Sequence, residues 1–208
     1  MVSSPRLLKG ETLSKWVMAD TMHGRARILE SRRVYQGRVL DVRVDRVIEP
    51  GEVRAVREVV VHRGSVVVLA TLADGRVLLI RQYRHPAEQA LWELVAGSIE
   101  PGETALAAAE RELLEETGYR AKRFTPLLEF FSSPGFLTEK MYLIQASRLT
   151  HSPAQPEADE RIRARLFTRR ELVRMLRGKR IRDGKTLVGL LWLLGRIPLR
   201  HVTNRKAK

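Results

Sequence analysis

Apolar and polar residues alternate with a period of two through the first part of the chain. Val39 to Ile48 reads VLDVRVDRVI, the pattern of a half-buried strand. Ile28-Leu29 leading to Val34-Tyr35 predicts a second strand, and Val53 to Val61 a third, after the turn Glu49-Pro50-Gly51. An isolated hairpin is marginal in water, so this two- or three-stranded unit needs a partner surface. From Ser65 the pattern changes. Ser65 to Leu72 is apolar apart from Ser65 and Thr71, Asp74-Gly75 signals a tight hairpin, and Val77 to Ile80 pairs back. Leu91 to Val95, Phe124 to Phe131, Met141 to Ala146 and Ile162 to Phe167 read as further strands, with a loop rich in proline and acid at His151 to Asp159. Thr168 and Glu171 form a capping box for a helix. Asp183-Gly184 breaks the chain before a last, largely apolar helix, Thr186 to Leu194. Helices on both faces of a sheet predict an α+β protein, an α/β/α sandwich with a mixed central sheet and a small N-terminal antiparallel sheet.

One segment switches to a helical period: GSIEPGETALAAAERELLEETGY, Gly97 to Tyr119. Leu106, Ala109, Leu113 and Thr117 form a stripe that can bury, with the acids expected to turn away from it. Pro101-Gly102 is a turn signal, and Glu103 stands beside the helix start, where negative charge is favoured. Gly118 stands where a left-handed residue ends the helix. Glu112, Glu115 and Glu116 fall at i, i+3 and i+4, so they crowd one face about 5–6 Å apart. Three like charges so close repel one another. A hard divalent cation such as Mg²⁺ removes the penalty, because it takes oxygen ligands from carboxylates and substrate phosphates.

The same segment resembles the signature of the Nudix hydrolases at Gly97, Glu103, Arg111, Glu112, Leu113, Glu115, Glu116, Gly118 and Tyr119. The flanking motifs are similar to those of its ADP-ribose pyrophosphatase (ADP-sugar diphosphatase) branch. Trp92-Glu93-Leu94-Val95-Ala96 resembles the run into the signature, with Val95 where a proline is usual. Arg81-Gln82-Tyr83-Arg84 resembles an RQYR element. Ser133-Pro134-Gly135-Phe136 with Glu139 resembles the segment beyond, and Pro134, 15 residues past Tyr119, holds the position associated with ADP-ribose selectivity. The resemblance covers roughly residues 30–195. It implies the Nudix fold and metal-dependent hydrolysis of ADP-ribose or a related ADP-sugar to AMP and a sugar phosphate. Alternatives are another nucleotide sugar, a dinucleotide polyphosphate or capped RNA as substrate, or a non-catalytic nucleotide sensor or nucleic-acid-binding protein. An intact set of acids speaks against the sensor.

Site residues follow from residues and resemblance together. Glu112, Glu116 and Glu115 are the expected ligands of Mg²⁺, with Mn²⁺ as the other candidate, and the resemblance adds the Ala96 carbonyl. Arg111 is expected to orient these carboxylates by bidentate pairing, with Glu103 in support. Gly97 and Gly102 are expected to let the loop approach the helix where a side chain would obstruct. The resemblance puts the general base on the loop before the capped helix, where Glu160 best fits the register and Glu157 and Asp159 are its rivals; a box glutamate such as Glu115 is another. Arg81, Arg84 and Glu93 are expected at the diphosphate or terminal ribose, with Arg84 alternatively paired to a surface acid. Phe136 is expected to shape the ribose side of the pocket. Arg33 and Tyr35 are expected to approach the adenine from the partner subunit of a homodimer, since the resemblance gives the N-terminal sheet a dimerising role.

Composition narrows the setting. With 208 residues the chain suits one domain and a small extra lobe. The expected division is an N-terminal mobile extension at 1–22, the small sheet at 23–62, the hydrolase domain at 63–200 and a basic tail at 201–208. No window is apolar over the roughly 18 residues that span a bilayer, and the first twenty residues lack the continuous apolar core of a secretory signal. Cysteine is absent, which excludes disulfides and thiolate metal sites and suits the cytoplasm. The net charge of +14 attracts polyanions. Its dense patches, Arg161 to Arg165 and Arg169 to Arg182, lack an aromatic stacking platform. They read as a solvated face that steers phosphorylated substrates, with incidental nucleic-acid contact as the lesser role.

Overall fold

Ser65–Thr71 forms β4, and Val66 to Ala70 within it are completely buried. A strand with both faces in the core belongs at the centre of a sheet. The computed structural model, which describes residues 24–151 and 162–195, has β4 there. The chain divides into two compact units between Val60 and Val61.

The first unit is a three-stranded sheet of β1 (Arg27–Gln36), β2 (Asp41–Glu49) and β3 (Val53–Val61) in that order. β1 and β2 are antiparallel, and their register slips between Arg33, opposite Arg43, and Tyr35, opposite Val42. Arg57 and Glu49 close a bidentate pair at 2.8 Å for both bonds. Every residue of β1 is exposed, including Ile28, Leu29, Val34 and Tyr35.

The second unit carries the central sheet. Its strands are β5 (Val77–Arg84), β6 (Gln89–Glu93), β7 (Val95–Ser98), β8 (Tyr119–Phe131), β9 (Lys140–His151) and β10 (Arg163–Phe167), besides β4. The order is β10-β5-β4-β9-β8, with β6 paired to β5 and β7 to β4. β4 and β9 run parallel and the other pairs antiparallel, so the sheet is mixed. Alternate residues of β4 enter opposite layers. Val66 and Val68 join Ile80 of β5 and Ala109 and Leu113 of α1 (Ala105–Thr117). Val67 and Leu69 join Leu172 of α2 (Arg169–Arg177) and Leu190 of α3 (Gly184–Leu193). The result is the expected three-layer sandwich. Thr168 caps α2, and the reciprocal bonds with Glu171 are both present.

Three local expectations need correction. Leu91 to Val95 is two strands, because Leu94 leaves the ladder and β6 and β7 pair with different neighbours. The Leu94 N–H is satisfied by Thr186 Oγ1 at 2.8 Å instead, as a buried donor must be. Leu106, in the first turn of α1, is exposed. The buried side of α1 is made by Ala108, Ala109, Leu113, Glu116 and Thr117, so Glu116 joins the buried stripe rather than turning away from it. Residues 1–22, the tail 201–208 and the loop bearing Glu157, Asp159 and Glu160 lie outside the described residues. Among the described residues no helix is long and apolar enough to cross a membrane.

Candidate active site

Thr104 starts α1 by accepting a hydrogen bond from the Ala107 N–H at 3.2 Å, and Gly118 ends it in the left-handed region with φ of 71°. Between these caps the helix holds its acids in register beside β7. Arg111 organises them. A guanidinium has five N–H groups, and here they make five bonds. Nε donates to Glu103 Oε1 at 3.0 Å and Nη2 to Glu103 Oε2 at 3.0 Å. Nη1 donates to Glu112 Oε1 at 2.7 Å and Glu115 Oε2 at 3.1 Å. Nη2 also donates to the Ser98 carbonyl of β7 at 3.1 Å. With every donor committed to protein, Arg111 orients carboxylates and has none left for a substrate. The Glu103 fork, and after it the charge and hydrogen bond of Glu112 and the hydrogen bond of Glu115, raise its pKa far above the ordinary arginine value despite partial burial.

Gly97 explains how Glu112 is held. A Cβ at this position would stand 1.9 Å from Glu112 Oε1 and 2.0 Å from its carboxyl carbon. The carboxylate therefore lies on the backbone of β7, next to Ala96, in the space a side chain would fill. Gly102 has a different cause. A Cβ there would meet nothing within 4 Å, but φ is +81°, so the turn needs glycine for its backbone conformation and not for close approach. Glu103 Oε2 also accepts the Glu100 N–H at 3.0 Å, tying this turn to the cluster.

Glu112 and Glu115 are drawn to Arg111, and Glu116 is 6% exposed. Among the described residues no three acidic or histidine side chains converge into one cage in this arrangement. The expected donors, Glu112, Glu115, Glu116 and the Ala96 carbonyl, are nevertheless all hard oxygens. Mg²⁺ usually takes only one or two carboxylates and completes its shell with water and substrate phosphates. The residues present fit such an ion.

Strand alternation separates the two arginines of the RQYR element. Ile80 pairs with Glu93 and Arg81 with Trp92 across β5 and β6, so Arg84 and Glu93 share the α1 side while Arg81 points to the other. Arg84 Nε and Nη2 bond Glu93 Oε1 and Oε2 at 2.9 and 2.8 Å. The acid paired with Arg84 is thus fully buried, not a surface one. Arg81 lies 5.9 Å from the centroid of the Trp92 ring. Phe136 is exposed on a turn whose N–H groups at Phe136 and Leu137 reach the Ser133 carbonyl, and Pro134 stands exposed in it. Val95, where proline is usual, is buried in β7 opposite Val68. In the first unit, Arg33 Nε is 3.6 Å from Asp41 and Tyr35 is exposed.

Two groups escaped the sequence reading. At the start of α3, the Lys185 ammonium donates to both Glu93 and Asp183. The available signal was that Lys185 is the only charge in GKTLVGLLWL. The second group is His62 and Ser65, which join Glu139 of the family-like segment. Ser65 Oγ donates to Glu139 at 2.6 Å, and Thr138 bonds both backbone groups of His62. They hold Thr138 and Glu139, just past the Ser133–Phe136 turn, against the start of β4.

Burial pushes the Glu93 carboxyl up, but the Arg84 fork and the Lys185 ammonium outweigh it and hold the group below the usual glutamate range. A depressed carboxylate stabilises the fold fully above the unfolded glutamate pKa, about 4.3, and loses that contribution as pH falls through the lower folded value. The melting temperature should therefore drop steeply below about pH 4. In thermal scans Glu93→Gln should be less stable at neutral pH and lose less on acidification; an unchanged acid limb would remove Glu93 from this role.

A family model described as NUDIX domain matches residues 61–188. The chain is 32% identical over 167 residues to an ADP-ribose pyrophosphatase of Bacillus subtilis (strain 168), covering 79% of this chain and 90% of that protein. It is 34% identical over 175 residues to a methanol dehydrogenase activator of Bacillus methanolicus, covering 83% and 95%. A GDP-mannose pyrophosphatase of Yersinia pestis (strain Pestoides F) is 31% identical over 150 residues, covering 67% and 75%. The solved structure of an ADP compounds hydrolase shares the fold with a TM-score of 0.71 at 24% identity, over 83% of this chain and 96% of that one.

Proposed function

The chain belongs to the NUDIX family, and on that premise we propose that it hydrolyses the pyrophosphate bond of ADP-ribose, releasing AMP and ribose 5-phosphate. It is a hydrolase of the kind that needs a divalent metal ion. The observation that carries the chemistry is the Arg111 cluster, which aligns Glu112 and Glu115 and leaves Glu112 lying against Gly97.

Glu112, Glu116 and Glu115, with the Ala96 carbonyl, would hold a divalent ion such as Mg²⁺, which would supply charge neutralisation for the diphosphate and a lowered pKa for a water. Arg111 and Glu103 keep those carboxylates from recoiling from one another. Arg84 binds the diphosphate or terminal ribose through the part of its guanidinium that Glu93 does not use. The base that takes the proton from the attacking water is Glu160, three residues before Arg163, which pairs with Arg81; Glu157 is its rival. Water adds to one phosphorus as the bridging P–O bond breaks, so each product keeps one phosphate.

The exposed apolar residues of β1 support a homodimer in which that strand meets a second copy, each copy's Arg33 and Tyr35 approaching the adenine bound by the other. The exposed arginines of α2 (Arg169, Arg170, Arg174 and Arg177) face away from its buried Leu172 and Met175. That arrangement supports a solvated face that draws in an anionic substrate. A chain without cysteine suits the cytoplasm.

The test is purified protein with Mg²⁺ and a panel of ADP-ribose, other nucleotide sugars including GDP-mannose, NADH and capped RNA, with separation of the nucleotide products. AMP release from ADP-ribose should exceed turnover of every other member by more than about tenfold in kcat/KM. A preference for another member would keep the chemistry and discard the substrate.

A further inference from the structure

We propose that Lys185 is a positioning residue for substrate binding, sharing the buried carboxylate of Glu93 with Arg84 and so fixing where the Arg84 guanidinium stands. This rests on the reading of Arg84 as a contact to the diphosphate or terminal ribose. Glu93 is buried completely, yet two cations reach it: the Arg84 fork, and Lys185 Nζ at 2.5 Å from Oε2. Lys185 is held in turn by Asp183 Oδ1 at 2.9 Å. The other oxygen of Asp183 caps α3, accepting from the Thr186 N–H at 3.0 Å and its hydroxyl at 2.6 Å. Thr186 Oγ1 closes the circuit by accepting the N–H of Leu94, the residue after Glu93.

The first turn of α3 therefore grips this point of the chain twice, by the Glu93 side chain and by the Leu94 backbone. The grip spans the layers. Glu93 and Arg84 share the α1 side of the sheet, whereas Leu190 of α3 packs in the opposite layer. Two cations and two anions make the set neutral. Stability alone does not call for four charges here, because buried ion pairs replaced by apolar residues of similar volume are often as stable or more so. What the ammonium adds is orientation. It keeps both Glu93 oxygens in the plane of the Arg84 fork and takes part of their charge, so that Arg84 stays available to an incoming anion. Without it Arg84 faces the whole Glu93 charge, with Glu116 also within electrostatic reach. The acids of α1 are ordered separately by Arg111, so chemistry and binding should respond differently.

The experiment compares wild type, Lys185→Met and Asp183→Asn as full-length proteins. It reads kcat and KM for ADP-ribose, and calorimetric Kd for the analogue with a methylene in place of the bridging oxygen. Lys185→Met should raise KM and Kd on the order of tenfold while kcat of the folded fraction stays within about threefold. Asp183→Asn keeps an oxygen for the helix cap and should shift both in the same direction by less. A residue that only held α3 in place would lower the melting temperature and leave KM and Kd unchanged, and that result overturns the proposal. Should Lys185→Met fail to fold, unchanged KM and Kd in Asp183→Asn overturn it as well. A wild type that turns over a different nucleotide sugar would sink the substrate reading, and the same split measured on that sugar would decide Lys185.

Discussion

Glu116→Gln should lower AMP release from ADP-ribose on the order of a thousandfold, the scale of losing a group that acts on the developing charge. The change keeps the size of the side chain and removes its charge, so it tests electrostatics and not packing. Position within α1 makes this residue the most sensitive of the three acids. Glu116 is 6% exposed on the buried flank, while Glu115 has about a third of its side chain in solvent, and both Glu112 and Glu115 accept bonds from Arg111. Glu112→Gln should follow closely, and Glu115→Gln should cost only about tenfold. Calorimetric titration with Mn²⁺ gives a reading independent of turnover: affinity should fall in Glu116→Gln and Glu112→Gln while the circular dichroism spectrum stays that of wild type. A Glu116→Gln enzyme retaining more than about a tenth of wild-type kcat would move the metal face elsewhere.

The fold was legible because its signals are local. The valine run of β4 announces burial on both faces, Asp74-Gly75 its hairpin, and Thr168 with Glu171 the start of α2. The acids of α1 were legible for the same reason, since their spacing along one helix places them on one face. Contacts made across the sheet were not. Spacing on β5 shows that Arg81 and Arg84 cannot share a face, but only pairing with β6 reveals Glu93 as the partner of one and Trp92 of the other. Lys185 and Thr186 lie 92 residues from the Glu93 and Leu94 atoms they hold, a distance no periodicity spans. The split between β6 and β7 is equally non-local, because a hydroxyl on α3 takes the N–H that would have continued the strand.

Gly97→Ala carries the other large effect expected, and it separates two uses of glycine within six residues. The alanine methyl would stand 1.9 and 2.4 Å from the two Glu112 carboxylate oxygens, closer than any contact can be. Glu112 is the flexible partner, so the fold should survive by pushing its carboxylate off the β7 backbone. That displacement strains the bond to Arg111 Nη1 at 2.7 Å and takes the carboxylate off its place against Gly97. Misplacement by about 1 Å is enough to cost on the order of a hundredfold in rate, so kcat should fall by at least that factor. Gly102→Ala should behave in the opposite way. Its Cβ has open space and only the positive φ to contend with, which costs about 1 kcal/mol of stability and leaves the acids where they are. Melting temperature and kcat measured side by side should therefore cross: Gly97→Ala folded and nearly inactive, Gly102→Ala less stable and active. Equal activity in the two variants would mean that Glu112 need not lie against β7, and the carboxylate would have to reach its working position by another route.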